Sequence, residues 1–298
     1  MTDQAVVIWG ELLWDLFPDG AQLGGAPANL AWHLGLAGGW ARLVSRVGDD
    51  ERGRLALARL GEVCDTSLVQ IDRERATGVV EVELVGGEPR YRLVPDRAWE
   101  RIACTGEVRA ALAEAGVLVY GTLAQRTRDG LDAWRAAVRA APASCLKVCD
   151  VNLRKTEGEP PGAERVAVDE AIAAADVVKL NDRELERVAA WHGWRDPIAE
   201  LLRRPRVVAI THGARGSTLH GERGAVEIGG AGVPPGARGD NVGCGDAYLA
   251  ILVHGMTRGW DLETSGRAAS RWAAAVAAVR GATPRFDDTR VDELLEGA

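Results

Sequence analysis

The segment RGDNVGCGDAYLA, residues 238–250, holds the chain's densest set of chemically useful groups. Gly243, Cys244 and Gly245 stand directly before a predicted helix. A glycine-flanked turn can aim consecutive backbone N–H groups at one point, and a helix N-terminus adds partial positive charge. Together they make a place for a phosphate or another oxyanion. Asp246 stands at the helix start, where an acid can simply cap the helix. A second acid, Asp240, stands on the other side of the same turn. A carboxylate beside an anion hole can take a proton from an attacking hydroxyl while N–H groups hold a transferring phosphoryl group. Spacing alone leaves the cap and the base both open.

Other polar groups gather where predicted strands end and helices begin. Gly24, Gly25, Pro27 and Asn29 form a second loop-to-helix junction. The glycines allow close backbone approach to a ligand, Pro27 suits a first helical turn, and Asn29 can donate to and accept from a polyol. A tight helix start with a solvated Asn is the alternative. Glu11 and Asp15 follow the first predicted strand; Asp15 could accept from sugar hydroxyls or be a loop-surface acid. Asn181 and Glu184 have capping-box spacing. The same strand-end position also suits Glu184 organising Mg²⁺ waters and Asn181 facing a phosphate. The run DVNLR, residues 150–154, offers Arg154 as a phosphate or substrate contact, with a surface ion pair as the alternative. Thr211 and Gly213 could touch nucleotide phosphates, with His212 between them read as structural.

The elements that must position these groups alternate. Predicted strands at Val6–Trp9, Arg42–Val47, Val117–Tyr120, Leu146–Val151, Val177–Leu180 and Val207–Thr211 are interleaved with helices. Those helices fall at Ala26–Ala37, Glu51–Leu60, Leu131–Ala140, Glu164–Ala174 and Ile198–Arg203, and two more follow at Asp246–Met256 and Leu262–Val279. Repeated units of this kind predict an α/β fold with a mainly parallel sheet between helices. Ligands of such sheets sit beyond the carboxyl ends of the strands, where the polar groups above fall. Thr77–Leu84 and Arg90–Val94 flank a Gly86–Gly87 turn and predict an antiparallel hairpin, either a protruding lid or an edge hairpin. The glycine-rich run at 229–239 reads as a linker or as a shaped loop. No repeat at solenoid spacing and no boundary between independent domains is evident.

Composition narrows the classes. Of 298 residues, 47% are hydrophobic and 27% charged, as in a globular enzyme. The net charge of −7 argues against nucleic acid as a partner. No apolar run is long enough to span a bilayer, and residues 1–15 lack a cationic stretch before an apolar core, so a soluble, cytoplasmic protein is expected. The five cysteines are odd in number and not tightly paired, which predicts buried inert thiols rather than disulfides or a zinc site. Lysine is scarce, with only Lys147, Lys155 and Lys179 against 33 arginines. The Walker, protein-kinase, Rossmann and nucleophile-elbow signatures are all absent.

Taken together, GELLWD (10–15), LGGAPANLA (23–31), SRVGDDERG (45–53), DVNLR (150–154), KLND-x-E (179–184) and DNVGCGD (240–246) resemble the PfkB, or ribokinase-like, carbohydrate kinases, and most closely the bacterial fructokinases. The resemblance covers most of the chain in the family's order. It implies one ribokinase-like kinase domain over residues 1–298, with a small β lid from about 76–98 plus part of 11–22. It also implies transfer of the ATP γ-phosphoryl group to a sugar hydroxyl with Mg²⁺. By motif, Asp246 becomes the base and the N–H groups of Gly243, Cys244 and Gly245 the anion hole. Asp15, Gly24, Gly25 and Asn29 become sugar contacts, with Arg154 near the substrate or the transferring phosphate. Asn181 and Glu184 serve the phosphate–Mg²⁺ side, and Thr211 and Gly213 the nucleotide. Asp240 and Val242 match a position where some members bind a monovalent cation such as K⁺, completed near Gly281. Two residues depart from the pattern: Asn241 replaces the usual Thr, and Cys244 the usual Ala. A thiol at a helix N-terminus can favour thiolate, which makes oxidation of Cys244 an expected route of inhibition, against an inert packed thiol.

The leading expectation is a fructokinase acting at O6 of D-fructose. Alternatives are kinases of ribose, 2-keto-3-deoxygluconate or nucleosides, the last using Trp14, Phe17 and Trp99 around a base. A catalytically silent sugar-binding regulator is the non-enzyme alternative. Lid residues Val80, Val82 and Tyr91 could shape sugar choice, and the hairpin edge could pair with a second chain to form a homodimer.

Overall fold

The computed structural model describes residues 5–85, 88–154, 162–234, 236–237 and 239–297, with side chains at all of these except 82–85 and 88–91. Its strands are β1 Val6–Trp9, β2 Leu13–Phe17, β3 Gly20–Gly24, β4 Ala41–Val44, β5 Arg46–Gly48, β6 Gln70–Asp72, β7 Gly78–Val85, β8 Glu88–Leu93, β9 Val117–Tyr120, β10 Leu146–Asp150, β11 Val177–Asn181, β12 Val207–Thr211, β13 Gly216–Gly221 and β14 Gly224–Gly229. The helices are α1 Ala26–Leu36, α2 Glu51–Leu60, α3 Gly106–Ala113, α4 Arg128–Ala140, α5 Ala163–Ala174, α6 Asp182–His192, α7 Pro197–Leu201, α8 Cys244–Arg258, α9 Leu262–Ala277 and α10 Asp288–Leu295. The Gly86–Gly87 turn, the Arg238 position and the side chains of Val82 and Tyr91 lie outside the described residues.

Eight strands form one sheet in the order β14-β13-β12-β11-β10-β9-β1-β4. The six from β12 to β4 run parallel, and β13 and β14 add an antiparallel edge. Parallel strands covered on both faces read as continuous apolar runs, and VVIW and VLVY are buried at every position. Side chains alternate between the faces. Val6, Ile8, Val117, Val119 and Val177 join the core formed with α1, α8 and α9. Val7, Trp9, Leu118, Tyr120 and Val178 join the core on the opposite face. Helix α8 is buried at every residue from Asp246 to Gly255. That is why its sequence is apolar all round rather than striped.

A second sheet of four strands, in the order β3-β2-β7-β8, pairs β2 with β7 in parallel and β7 with β8 as the expected hairpin. The β2–β3 ribbon turns at Pro18–Asp19, with Phe17 opposite Gly20. The predicted strand Arg42–Val47 splits at Ser45. Its first half joins the large sheet and its second half pairs with β6. Helix α4 starts three residues before the expected Leu131, because the Thr127 hydroxyl accepts from the Gly130 N–H.

Candidate active site

The glycine turn and α8 meet α1 beyond the carboxyl ends of the parallel strands. Gly243 precedes α8 with φ 75°. A Cβ there would come within 2.6 Å of the Ala282 Cβ, so backbone and packing both require glycine. Gly245 has a different reason: its Cβ would lie 2.9 Å from Lys179 Nζ. The N–H groups of this first helical turn have no partner within the helix. Asp246 is buried and does not cap α8. Instead its Oδ2 accepts from Asn29 Nδ2 at 2.8 Å, across 217 residues of chain. Burial, reinforced by the Asp150 charge, pushes the Asp246 carboxyl up to about 6, with Lys179, the Asn29 hydrogen bond and Arg154 opposing. Such a carboxylate is ionised at neutral pH yet close enough to its pKa to accept a proton.

A cluster of acids borders Asp246. Burial pushes Glu11 up to about 7, opposed by its own N–H, Arg154 and the Ala26 N–H. Burial likewise pushes Asp15 up to about 6, opposed by Arg154 and reinforced by Asp246 and Asp240. Both glycines before α1 are set by this cluster. A Cβ on Gly24 would meet Asp15 Oδ2 at 2.4 Å, and one on Gly25 would meet the Glu11 carbonyl oxygen at 2.5 Å. Among the described residues two buried acceptors have no hydrogen-bond partner, Asn29 Oδ1 beside Asp246 and Gln22 Oε1 against Gly281. Gln22 stands opposite Asp15 in the β2–β3 register. A buried acceptor left unpaired is costly, so these atoms suit a ligand that brings hydroxyl donors.

The next strands carry the other polar groups. Asn181 and Glu184 form the capping box read from their spacing, with Glu184 N donating to Asn181 Oδ1 and Asn181 N to Glu184 Oε2. Glu184 Oε1 also accepts from the Leu153 N–H at 3.0 Å, tying the DVNLR segment to α6. Arg154 is exposed beside this segment, and its carbonyl accepts from the Arg126 guanidinium. Thr211 pairs with Asn181 across β11 and β12, and Gly213 opens a short helical turn. His212 is bonded on both ring nitrogens, to Asp182 and Thr218, as a structural residue should be.

Among the described residues no group of three or more metal-capable side chains exists. The carboxylate of Glu184 keeps lone pairs beyond its two N–H partners. This donor set suits an ion held chiefly by substrate phosphates and water, as Mg²⁺ prefers, rather than by a protein cage.

A model of the pfkB family carbohydrate kinases matches residues 20–289. The chain belongs to that family. The kinase is 29% identical over 262 residues to a fructokinase of Klebsiella pneumoniae, covering 84% of each chain. It superposes on an uncharacterized sugar kinase of Pyrococcus horikoshii with a TM-score of 0.83 and 27% identity, over 98% of this chain and 97% of that one. A fructokinase of Xylella fastidiosa with bound ATP matches its fold with a TM-score of 0.86 at 20% identity, over 99% and 98% of the two chains. The kinase is therefore an ATP-dependent sugar phosphotransferase with the ribokinase-like α/β fold. None of its described helices is long and apolar enough to cross a membrane.

Two details concern the residues that depart from the family's pattern. The Cys244 thiol stands at the N-terminus of α8. Burial, and then the charges of Asp246 and Asp240, push it up to about 12. Asn241 sits at φ 58°, a left-handed backbone that Asn tolerates and a β-branched Thr would strain. Asp240, Val242 and Gly281 come together as expected, with the Asp240 carboxylate accepting from both N–H groups. Two site residues were missed. Lys179 lies inside KLND-x-E, and its signal is a lysine in the middle of an apolar strand. Gln22 carried no signal of its own; only the β2–β3 register places it.

Proposed function

We propose that the kinase phosphorylates O6 of D-fructose. The observation that carries this reading is the buried Asn29–Asp246 hydrogen bond, which joins the glycine-rich α1 start to the base at the α8 start. Asp246 takes the proton of the sugar hydroxyl as its oxygen bonds to the γ-phosphorus of ATP. The bond from that phosphorus to the β–γ bridging oxygen breaks, and ADP leaves. The Gly243, Cys244 and Gly245 N–H groups hold the transferring phosphoryl oxygens, where stabilisation by preorganised donors is most effective. Asp15, Gly24, Gly25 and Asn29 hold the sugar, and Arg154 stands at the transferring phosphate. Asn181, Thr211 and Gly213 face the nucleotide phosphates. Glu184 would hold Mg²⁺ through water, and the ion would supply charge neutralisation at the phosphates. A monovalent cation near Asp240 and Val242 belongs to the same reading, as do a lid role for the four-stranded sheet and a dimer formed through its edge.

The aromatic residues favour a sugar over a nucleoside. Trp14 is buried and donates to the Arg52 carbonyl, and Trp99 is buried against Gly78. The Arg280 guanidinium lies over the Phe17 ring. These three side chains are therefore engaged within the protein rather than free to stack on a base.

ADP release with Mg·ATP should be measured across fructose, ribose, 2-keto-3-deoxygluconate, glucose and adenosine, beside Asp246→Asn. Fructose should turn over fastest, and the variant should lose about a hundredfold or more. Preferred turnover of adenosine would overturn the sugar assignment. Sugar binding without turnover would make the protein a binding regulator instead.

A further inference from the structure

Lys179 is the middle residue of β11, on the strand face that otherwise joins the apolar core shared with α8. It is 4% exposed, as is Asp150, its direct cross-strand partner on β10. Its ammonium lies 3.0 and 3.2 Å from the two Asp150 oxygens. On its other strand neighbour the paired residue is Ala209, which leaves room above the sheet. The ammonium also fills the space where Gly245 lacks a Cβ. Burying an ion pair in place of apolar side chains brings little or no stability. A chain with 33 arginines nonetheless keeps one of its three lysines here. A compact ammonium fits beneath Gly245, whereas a planar guanidinium is broader and needs bidentate partners.

We propose that Lys179 is a positioning residue of the phosphoryl-transfer site, shielding Asp246 from the Asp150 charge and seating the glycine turn at Gly245. This role rests on the kinase reading above. The charged and titratable groups around Lys179 are Asp150 and Cys149 on β10, Glu184 on α6, and Asp246 and Tyr248 on α8. Burial pulls the ammonium's pKa down, but the three carboxylates outweigh it and keep Lys179 charged. Asp246 in turn feels Asp150, Lys179 and Arg154 directly, and interacts with Glu11 and Asp15 across the cleft. Asp150 and Lys179 act on it in opposite directions.

The test compares Lys179→Met with Asp150→Asn. The acid limb of kcat/KM for ADP release should move to higher pH in Lys179→Met and to lower pH in Asp150→Asn, each by about one unit. Titration of the Asp246 carboxyl by ¹³C NMR in the ligand-free protein, assigned with Asp246→Asn, should show the same two signs. Movement in one direction in both variants, or in neither, would overturn the proposal. Should Lys179→Met fail to fold, the double variant with Asp150→Asn removes both charges. Asp246 should then titrate near its wild-type value, and a value beyond that of the Asp150→Asn protein would also overturn it. Wild-type protein that turns over none of the sugars defeats the kinase reading, while the NMR signs still decide the role of Lys179.

Discussion

Replacing Glu11 by Gln should stabilise the ligand-free protein at alkaline pH and not at acid pH. Glu11 ends the turn after β1, is 6% exposed, and is pushed by burial from an ordinary 4.5 to about 7. That gap corresponds to about 3 kcal/mol of cost for holding the ionised form in the fold. For a carboxylate raised in this way, the folded state binds the proton more tightly than the unfolded chain. The favourable contribution is therefore complete below 4.5 and lost as pH rises through about 7. Between pH 5 and pH 8 the wild type should lose about 2.5 kcal/mol relative to Glu11→Gln. Buried His33 is held down to about 4 and has the opposite sign, losing stability as pH falls from 6.5. It is present in both proteins and drops out of the difference. So does any constant penalty for placing the new amide nitrogen. Urea unfolding of both proteins at the two pH values reads the quantity directly. A stability difference that stays the same within about 0.5 kcal/mol would refute the claim that Glu11 is held against its preferred ionisation.

Three further outcomes follow from the same geometry. With Asp246 titrating at about 6, kcat/KM should rise with pH and stand about tenfold below its plateau at pH 5; a flat profile from pH 5 to 8 would remove Asp246 as the base. Gly245→Ala should place its Cβ against Lys179 Nζ and lower kcat by about a hundredfold while far-ultraviolet circular dichroism stays native; wild-type turnover would show that the turn tolerates the contact. The Cys244 thiol, held at about 12, should alkylate at pH 8 far more slowly in native than in urea-unfolded protein, by mass spectrometry; equal rates would mean that the thiol is open and ionisable.

Much of the α/β frame was legible because parallel strands covered on both faces must be short apolar runs. Val6–Trp9, Val117–Tyr120 and Val207–Thr211 fall where the sequence pattern places them. The second sheet was only half visible. Its β7–β8 hairpin alternates, whereas β2, with LWDLF, and β3, with GAQLG, pair around Pro18–Asp19 without a clear apolar face. Without β2 and β3 in place, Gln22 could not be set opposite Asp15. The ambiguity at Asn181 and Glu184 has a physical source. A capping box and a phosphate-facing pair need the same residues at the same spacing, and here the box is formed while Glu184 also reaches the DVNLR segment.

Helix α1 shows how buried polar residues mark a site that an apolar pattern hides. Pro27 through Leu34 are all buried, so no amphipathic stripe separates a functional face from a packing face. Two of those residues are nevertheless polar and one turn apart, and both hold the glycine turn. Asn29 donates to Asp246 from one side. His33 is bonded to the carbonyl of Ala282, the residue packed against Gly243, from the other. The Trp272 N–H donates to His33 Nδ1 at 3.1 Å, so the remaining ring proton sits on Nε2 and points at that carbonyl. Burial lowers the His33 pKa to about 4, which keeps this single tautomer in force across the neutral range. An Asn and a His spaced i, i+4 on a helix with no exposed face turn their donors to partners inside the protein, while Asn29 Oδ1 has none among the described residues. In this kinase those partners are the carboxylate of Asp246 and the backbone packed against Gly243. The local pattern that obscures an amphipathic face thus records, through its two polar exceptions, where α1 meets the glycine turn.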